Sequence, residues 1–181
     1  MIEMRPKTPK RQRRSTAART AFVIAACVYC AVFLAAQQED FSGRVVTVVD
    51  GDTIGVLRDG REARVRLEGI DAPELGQDFW QPSKQFMSDA ALDKIVAVSG
   101  NEIDRYGRLI ARVTADGRDL SVAAVEAGFA WHFVRYSSDP VLAAAETNAR
   151  TRRIGLWSQP NPIPPWDYVA GARPAAPGRR P

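Results

Sequence analysis

With 181 residues the chain has room for one ordinary domain plus extensions. Its formal net charge of +4 points to a polyanion binder, yet residues 1–40 carry seven basic and three acidic side chains and hold all of that excess, while residues 41–181 carry 18 of each. Residues 41–167 carry 15 basic and 18 acidic groups, net −3, which excludes a broad nucleic-acid-binding surface on the body; any nucleic acid has to be held locally, by a few arginines and a metal.

The chain opens with a basic segment, residues 1–19, followed by an apolar run over residues 20–36. Its roughly 16–17 apolar residues exceed a usual signal-peptide core and reach the lower limit for a membrane span. No good small-x-small cleavage triplet stands at its end, so it reads as an uncleaved transmembrane anchor in preference to a removed signal peptide. Basic flanks stay cytoplasmic, which places the following domain outside the inner membrane, periplasmic or extracellular, or secreted if the segment is cleaved. Cys27 and Cys30 both fall inside this run and read as small apolar filler; the rest of the chain has no cysteine and must be held by its core alone.

From Gly43 the pattern changes to strands. Val45, Val46, Val48 and Val49 form one β-branched run, residues 54–57 a second, and Arg58-Asp59-Gly60 a turn. Residues 63–68 alternate, with Ala63, Val65 and Leu67 on one face and Arg64, Arg66 and Glu68 on the other. A helix is predicted over 82–93, short strands near 95–98 and 109–114, and a helix over 120–127 capped by Asp119 and stopped by Gly128. A strand is predicted over 129–133, and a last helix opened by Asp139-Pro140 and closed by Gly155. Beyond Trp157 the proline-rich tail predicts extended or disordered chain. Five short strands with interspersed helices predict an α+β fold, a small barrel with packed helices, over residues 41–158, with a tail over 159–181.

The single histidine, His132, rules out paired-histidine chemistry and histidine–zinc sites, and no phosphate-cradling glycine loop is present. Carboxylates remain. Asp52 follows a tight Asp-Gly bend at the start of one strand, and Asp71 lies past the end of another; neighbouring strands would bring both to one rim. Two hard oxygen donors select calcium or magnesium, weakly, at roughly the 10⁻⁴–10⁻³ M level. Glu74 is a further carboxylate able to take a proton from water. Arg66 and Arg108 are able to fork onto phosphate oxygens. Taken singly, each of these groups also fits a turn, a cap or a solvated surface; the case rests on the set.

The ordered set Asp50-Gly51-Asp52-Thr53, Arg66-Leu67-Glu68-Gly69-Ile70-Asp71-Ala72-Pro73-Glu74, Asp104-Arg105-Tyr106-Gly107-Arg108, then Ala127-Gly128-Phe129-Ala130 and Gly155-Leu156-Trp157 resembles the staphylococcal nuclease (thermonuclease-like) family over residues 43–158. The resemblance implies a five-stranded OB-type barrel with three helices. It implies calcium ligation by Asp52, Asp71 and the carbonyl of Ala72, a catalytic carboxylate at Glu74, and phosphate arginines at Arg66 and Arg108. Tyr106 and Tyr136 match nucleotide-pocket tyrosines, and Arg105 stands for a lysine. The implied reaction is calcium-dependent hydrolysis of DNA and RNA that leaves 3′-phosphate ends, by a monomeric domain. Val134 replaces a second pocket tyrosine, and the stretch after Glu74, with Phe79 and Trp80, departs from the family pattern. The competing reading is a non-catalytic nucleic-acid- or protein-binding module on the same barrel.

Overall fold

The computed structural model describes residues 40–168. The basic segment, the apolar run expected to span a membrane, both cysteines and the end of the tail lie outside the described residues. Among the described residues no helix is long and apolar enough to cross a membrane.

Five strands close on themselves. β1 (Phe41–Val48) pairs antiparallel with β2 (Thr53–Arg58), β2 with β3 (Arg61–Leu67), β1 with β5 (Ile95–Ile103), and β5 with β6 (Leu109–Ala115). The closing contact is parallel, β3 against β6, with Val65 opposite Leu109, Arg66 opposite Ile110 and Leu67 opposite Ala111. Closure removes the exposed edges that an open sheet would present. Inward-facing Val45, Ile54, Val56, Val65, Leu67, Val96, Val98 and Val113 fill the barrel and are fully or almost fully buried. Two bulges, in β1 between Val45 and Thr47 and in β5 between Ser99 and Glu102, supply the bend that so small a barrel needs.

Three helices cover the barrel. α1 (Trp80–Ala91) contributes Met87 and Ala91 to the core, α2 (Leu120–Glu126) contributes Leu120, Ala124 and Val125, and α3 (Pro140–Arg152) contributes Leu142 and Ala145. Asp119 and Asp139 cap α2 and α3 by accepting the Val122 and Val141 N–H groups, as their places in the sequence predict. A two-residue pair, β4 (Ile70–Asp71) with β8 (Trp131–His132), sits apart from the barrel sheet, and β7 (Arg118–Asp119) extends β6 as a hairpin.

The barrel and its helices match the expected architecture, with three local differences. The strand predicted over 129–133 shrinks to Trp131–His132, because Gly128 turns at φ +73° and the Phe129 N–H is spent on closing α2 at the Ala124 carbonyl. β5 runs on past its apolar stretch to Ile103, because its bulge keeps it in register with β6. α1 starts two residues early, at Trp80. The chain after Ser158 is bent and then extended, closes into a 3-10 turn over Pro165–Asp167, and is docked as far as Tyr168: Trp166 stacks on Phe133 and meets Trp131 edge-on, joining a second apolar cluster of Trp131, Ala149, Leu156 and Trp157.

The turn after α2 and the turn after α3 pack backbone to backbone. The Leu156 N–H donates to the Gly128 carbonyl at 2.8 Å, and both Gly128 and Gly155 hold positive φ. A Cβ on Gly128 would stand 2.5 Å from the Ile154 carbonyl oxygen. Gly128→Ala therefore combines left-handed strain with a backbone clash, and is expected to destabilise the fold by about 2–4 kcal/mol, read by chemical denaturation. A change within 0.5 kcal/mol, the usual range for a surface substitution, would show that the two turns are free to part.

Candidate active site

The rim of the barrel where β1 turns into β2 carries the first carboxylate. The Asp50 side chain accepts the Asp52 N–H at 3.1 Å, and the Val49 N–H donates to the Thr53 carbonyl at 2.9 Å, so the Asp-Gly bend is closed from both sides. Gly51 is required here for space. A Cβ would overlap the Ser83 hydroxyl on α1 and lie 2.8 Å from Ala72 Cβ. Ser83 is itself held, donating to the Phe129 carbonyl at 2.7 Å. The helix thus presses the bend against the segment that bears Asp71 and Ala72.

Asp52 is buried and its partners are all defined. Oδ2 accepts the Ala72 N–H at 2.7 Å and Nη1 of Arg66 at 3.0 Å, while Oδ1 accepts the Thr53 hydroxyl at 3.0 Å. Asp71 Oδ1 accepts Nη2 of the same arginine at 2.7 Å. One guanidinium therefore bridges the two carboxylates, and the expected convergence of Asp52 and Asp71 is present in the fold. Arg66 reaches Asp52 because it faces the adjacent Thr53 on β2, and Asp71 because the chain turns back within five residues.

Arg108 joins the cluster through Thr53, donating from Nη1 to the Thr53 hydroxyl at 3.2 Å. Its Nε donates to Asp104 Oδ2 at 2.8 Å, and Asp104 Oδ1 accepts the N–H groups of Tyr106 and Arg108 at 2.9 Å each. Partial burial works against ionisation of Asp104, but these hydrogen bonds outweigh it and hold its carboxyl below the usual range. The loop is a clamp that aims Arg108 across the rim.

Electrostatics places the remaining groups. Burial pushes the Asp52 carboxyl up to about 7, against the pull of Arg66 and with further push from Asp50. Burial likewise raises Asp71 to about 6; Arg66 and Arg108 pull it down, and Glu74 and Asp50 push it up. Glu74 is thus within Coulombic reach of Asp71 while standing exposed to solvent. Four carboxylates (Asp50, Asp52, Asp71 and Glu74) act on this small space against two guanidiniums, a balance that fits an added divalent cation. Among the described residues no group of three or more His, Cys, Asp or Glu side chains forms a metal cage. A two-carboxylate set completed by water is what the sequence predicts instead, and the family resemblance adds the Ala72 carbonyl. The described hydrogen bond of Ala72 here is through its N–H.

The expected substrate-binding residues divide. Tyr106 is 67 % exposed and lies beneath the guanidiniums of Arg105, at 4.8 Å, and Arg108, at 5.4 Å. It is therefore attached to the cluster through Arg108. Tyr136 stands against Phe133 at 4.8 Å and borders a separate cavity of about 300 Å³ with Glu68, Arg112 and Asp139; no described contact ties it to the carboxylates. The residues that sequence reasoning left without a role are Thr53 and Asp104. Thr53 and Asp104 lie inside quoted motifs, and the i,i+4 spacing of Asp104 and Arg108 was a usable signal.

A family model described as staphylococcal nuclease homologue matches residues 64–159. An Escherichia coli O157:H7 protein described as an uncharacterized endonuclease is 44 % identical over 128 residues, covering 70 % of this chain and 84 % of its own length. A similar protein from Haemophilus influenzae, with the same description, is 40 % identical over 135 residues, covering 74 % of this chain and 76 % of its own. A Shigella flexneri protein described as a micrococcal nuclease is 39 % identical over 140 residues, covering 71 % of this chain and 80 % of its own. On the strength of the barrel, the clustered carboxylates and arginines, and these matches, the chain belongs to the staphylococcal nuclease homologue family.

Proposed function

We propose that the chain is a calcium-dependent endonuclease that hydrolyses DNA, RNA or both and leaves 3′-phosphate ends. The enzyme class, a phosphodiester-hydrolysing endonuclease, follows from the family. The observation that carries the finer reading is the bridge from Asp71 through Arg66 to Asp52, and on through Thr53 to Arg108, with Glu74 beside it. Asp52, Asp71 and the carbonyl of Ala72 would hold the calcium, which supplies a Lewis acid for a phosphoryl oxygen. Glu74, exposed at the edge, takes a proton from water. Arg108, and Arg66 once a cation has taken its place on Asp52 and Asp71, offer their forks to the non-bridging oxygens and offset the charge that builds as water attacks phosphorus. The bond from phosphorus to the 5′ oxygen breaks and that oxygen takes up a proton from solvent water, giving a 3′-phosphate and a 5′-hydroxyl. The basic and apolar segments over residues 1–36 support a domain held at the inner membrane or exported beyond it.

The test is hydrolysis of single- and double-stranded DNA and RNA by the full chain, with calcium and with chelator, followed by end-group analysis. Cleavage that needs calcium and leaves 3′-phosphates is expected. Retention of nucleic acid without calcium-stimulated cleavage would favour the binding-module reading, on which the net −3 of residues 41–167 predicts weak affinity.

A further inference from the structure

Two stretches that the chemistry leaves unused meet beside the site: the segment after Glu74 that departs from the family pattern, and the proline-rich segment after Ser158. Gln77 joins them. Its Oε1 accepts the Glu74 N–H at 2.9 Å, its main-chain N–H donates to the Glu74 carbonyl at 2.8 Å, and its Nε2 donates to the Ile163 carbonyl at 2.6 Å. The first two bonds are local. The third spans 86 residues and is the described hydrogen bond that ties this loop to a distant part of the fold.

The Ile163 carbonyl is itself anchored. Pro162, Pro164 and Pro165 flank it and restrict the backbone on both sides. Immediately afterwards Trp166 lies flat on Phe133, with ring centroids 5.2 Å apart and planes 8° apart, and edge-on to Trp131 at 5.8 Å. Trp131 is the register partner of Asp71 in the β4–β8 pair. A Cβ on Gly76 would meet the Tyr168 hydroxyl at 3.4 Å, so the chain keeps to the loop until the end of the described residues.

We propose that Gln77 is a positioning residue for Glu74, and that residues 159–168 form a strap which holds this loop in the geometry catalysis needs. The inference rests on the reading of Glu74 as the proton acceptor. Glu74 is exposed and carried by a loop, so its side chain has no packing of its own to fix it. A proton acceptor has to stand within hydrogen-bond reach of its water, and a misplacement of about 1 Å can cost on the order of 10²-fold in rate. Fixing the Glu74 main chain through Gln77, and Gln77 through a proline-stiffened and tryptophan-anchored segment, supplies the missing constraint.

The test uses the full chain and two readouts: steady-state kinetics on DNA with calcium, and hydrogen exchange of the Glu74 amide. Gln77→Met keeps the bulk and removes the side-chain bonds. It is expected to lower kcat roughly 10- to 100-fold, with KM and the calcium requirement unchanged, and to speed exchange of the Glu74 amide. Trp166→Ala should do the same through the strap, and Trp166→Phe, which keeps a stacking ring, should restore most of both readouts. Full kcat in Gln77→Met, or unchanged Glu74 protection in either disruptive variant, overturns the proposal. Failure of the underlying reading looks different: no calcium-stimulated cleavage by the unaltered chain, or full turnover in Glu74→Gln, with amide exchange still deciding whether the strap holds the loop.

Discussion

Glu74→Gln is expected to lower turnover by roughly 10²–10⁴-fold, the usual contribution of a positioned proton acceptor, while leaving calcium affinity nearly unchanged. The glutamine is isosteric, and both hydrogen bonds that hold residue 74 to Gln77 use its main chain, so the loop keeps its conformation. Glu74 acts on Asp71 only as a nearby charge; the bonded partners of the two buried carboxylates are Arg66, Thr53 and the Ala72 N–H. Removing that charge takes away one of the pushes that raise Asp71 and also a little long-range attraction for a cation, and the two changes act on calcium binding in opposite directions. Single-turnover kinetics at saturating DNA, set beside calcorimetric calcium titration of the same variant, separates chemistry from binding. Wild-type turnover would remove Glu74 from the mechanism. A loss explained by weaker calcium binding would turn it into a cation-attracting group.

The barrel was legible because its signals are local. The alternation of Ala63, Val65 and Leu67 against Arg64 and Arg66 is written in consecutive residues, as are the turn at Asp59-Gly60 and the caps at Asp119 and Asp139. The two carboxylates were legible for a related reason: strand ends at one rim of a small closed sheet lie close together. What joins them was not. Arg66 stands opposite Thr53 across the β2–β3 hairpin and five residues before Asp71, but the turn of its guanidinium onto both carboxylates is set by packing that no periodicity announces. The same holds for Thr53 and Arg108, 55 residues apart, and for Gln77 and Ile163. The proline-rich tail misled on composition. Its prolines hold the chain extended only as far as Pro164, Pro165 opens a 3-10 turn, and Trp166 in that turn gives the segment an aromatic surface to dock with; a composition average does not register one well-placed ring.

Arg66→Met in the presence of chelator is expected to destabilise the fold by about 3–5 kcal/mol, the cost of breaking a buried ion pair by removing one partner. The Arg66 side chain is 13 % exposed, with Asp52 at 7 % and Asp71 at 12 %, so solvent cannot take over the role of the missing cation. The effect carries a pH signature whose sign is fixed. Burial raises Asp52 to about 7 and Asp71 to about 6, from the ordinary 3.8, so the folded state holds these protons more tightly than the unfolded chain does. Stability from this source is fully present below about pH 4 and is lost as pH rises through 6–7. Without Arg66 both carboxyls rise further. The deficit of the variant is therefore smaller at pH 5, where protons neutralise the pair at little cost, than at pH 8, where the pair must either carry buried charge without a partner or draw protons from a solution that holds few. Calcium at pH 8 should return part of the loss, because a cation on the same oxygens replaces the absent guanidinium and binds only the folded chain. Denaturant titrations at both pH values, with calcium and with chelator, decide the matter. A deficit equal at pH 5 and pH 8, untouched by calcium, would mean that Arg66 stabilises the rim by packing, and that Asp52 and Asp71 do not form a charge-hungry pair.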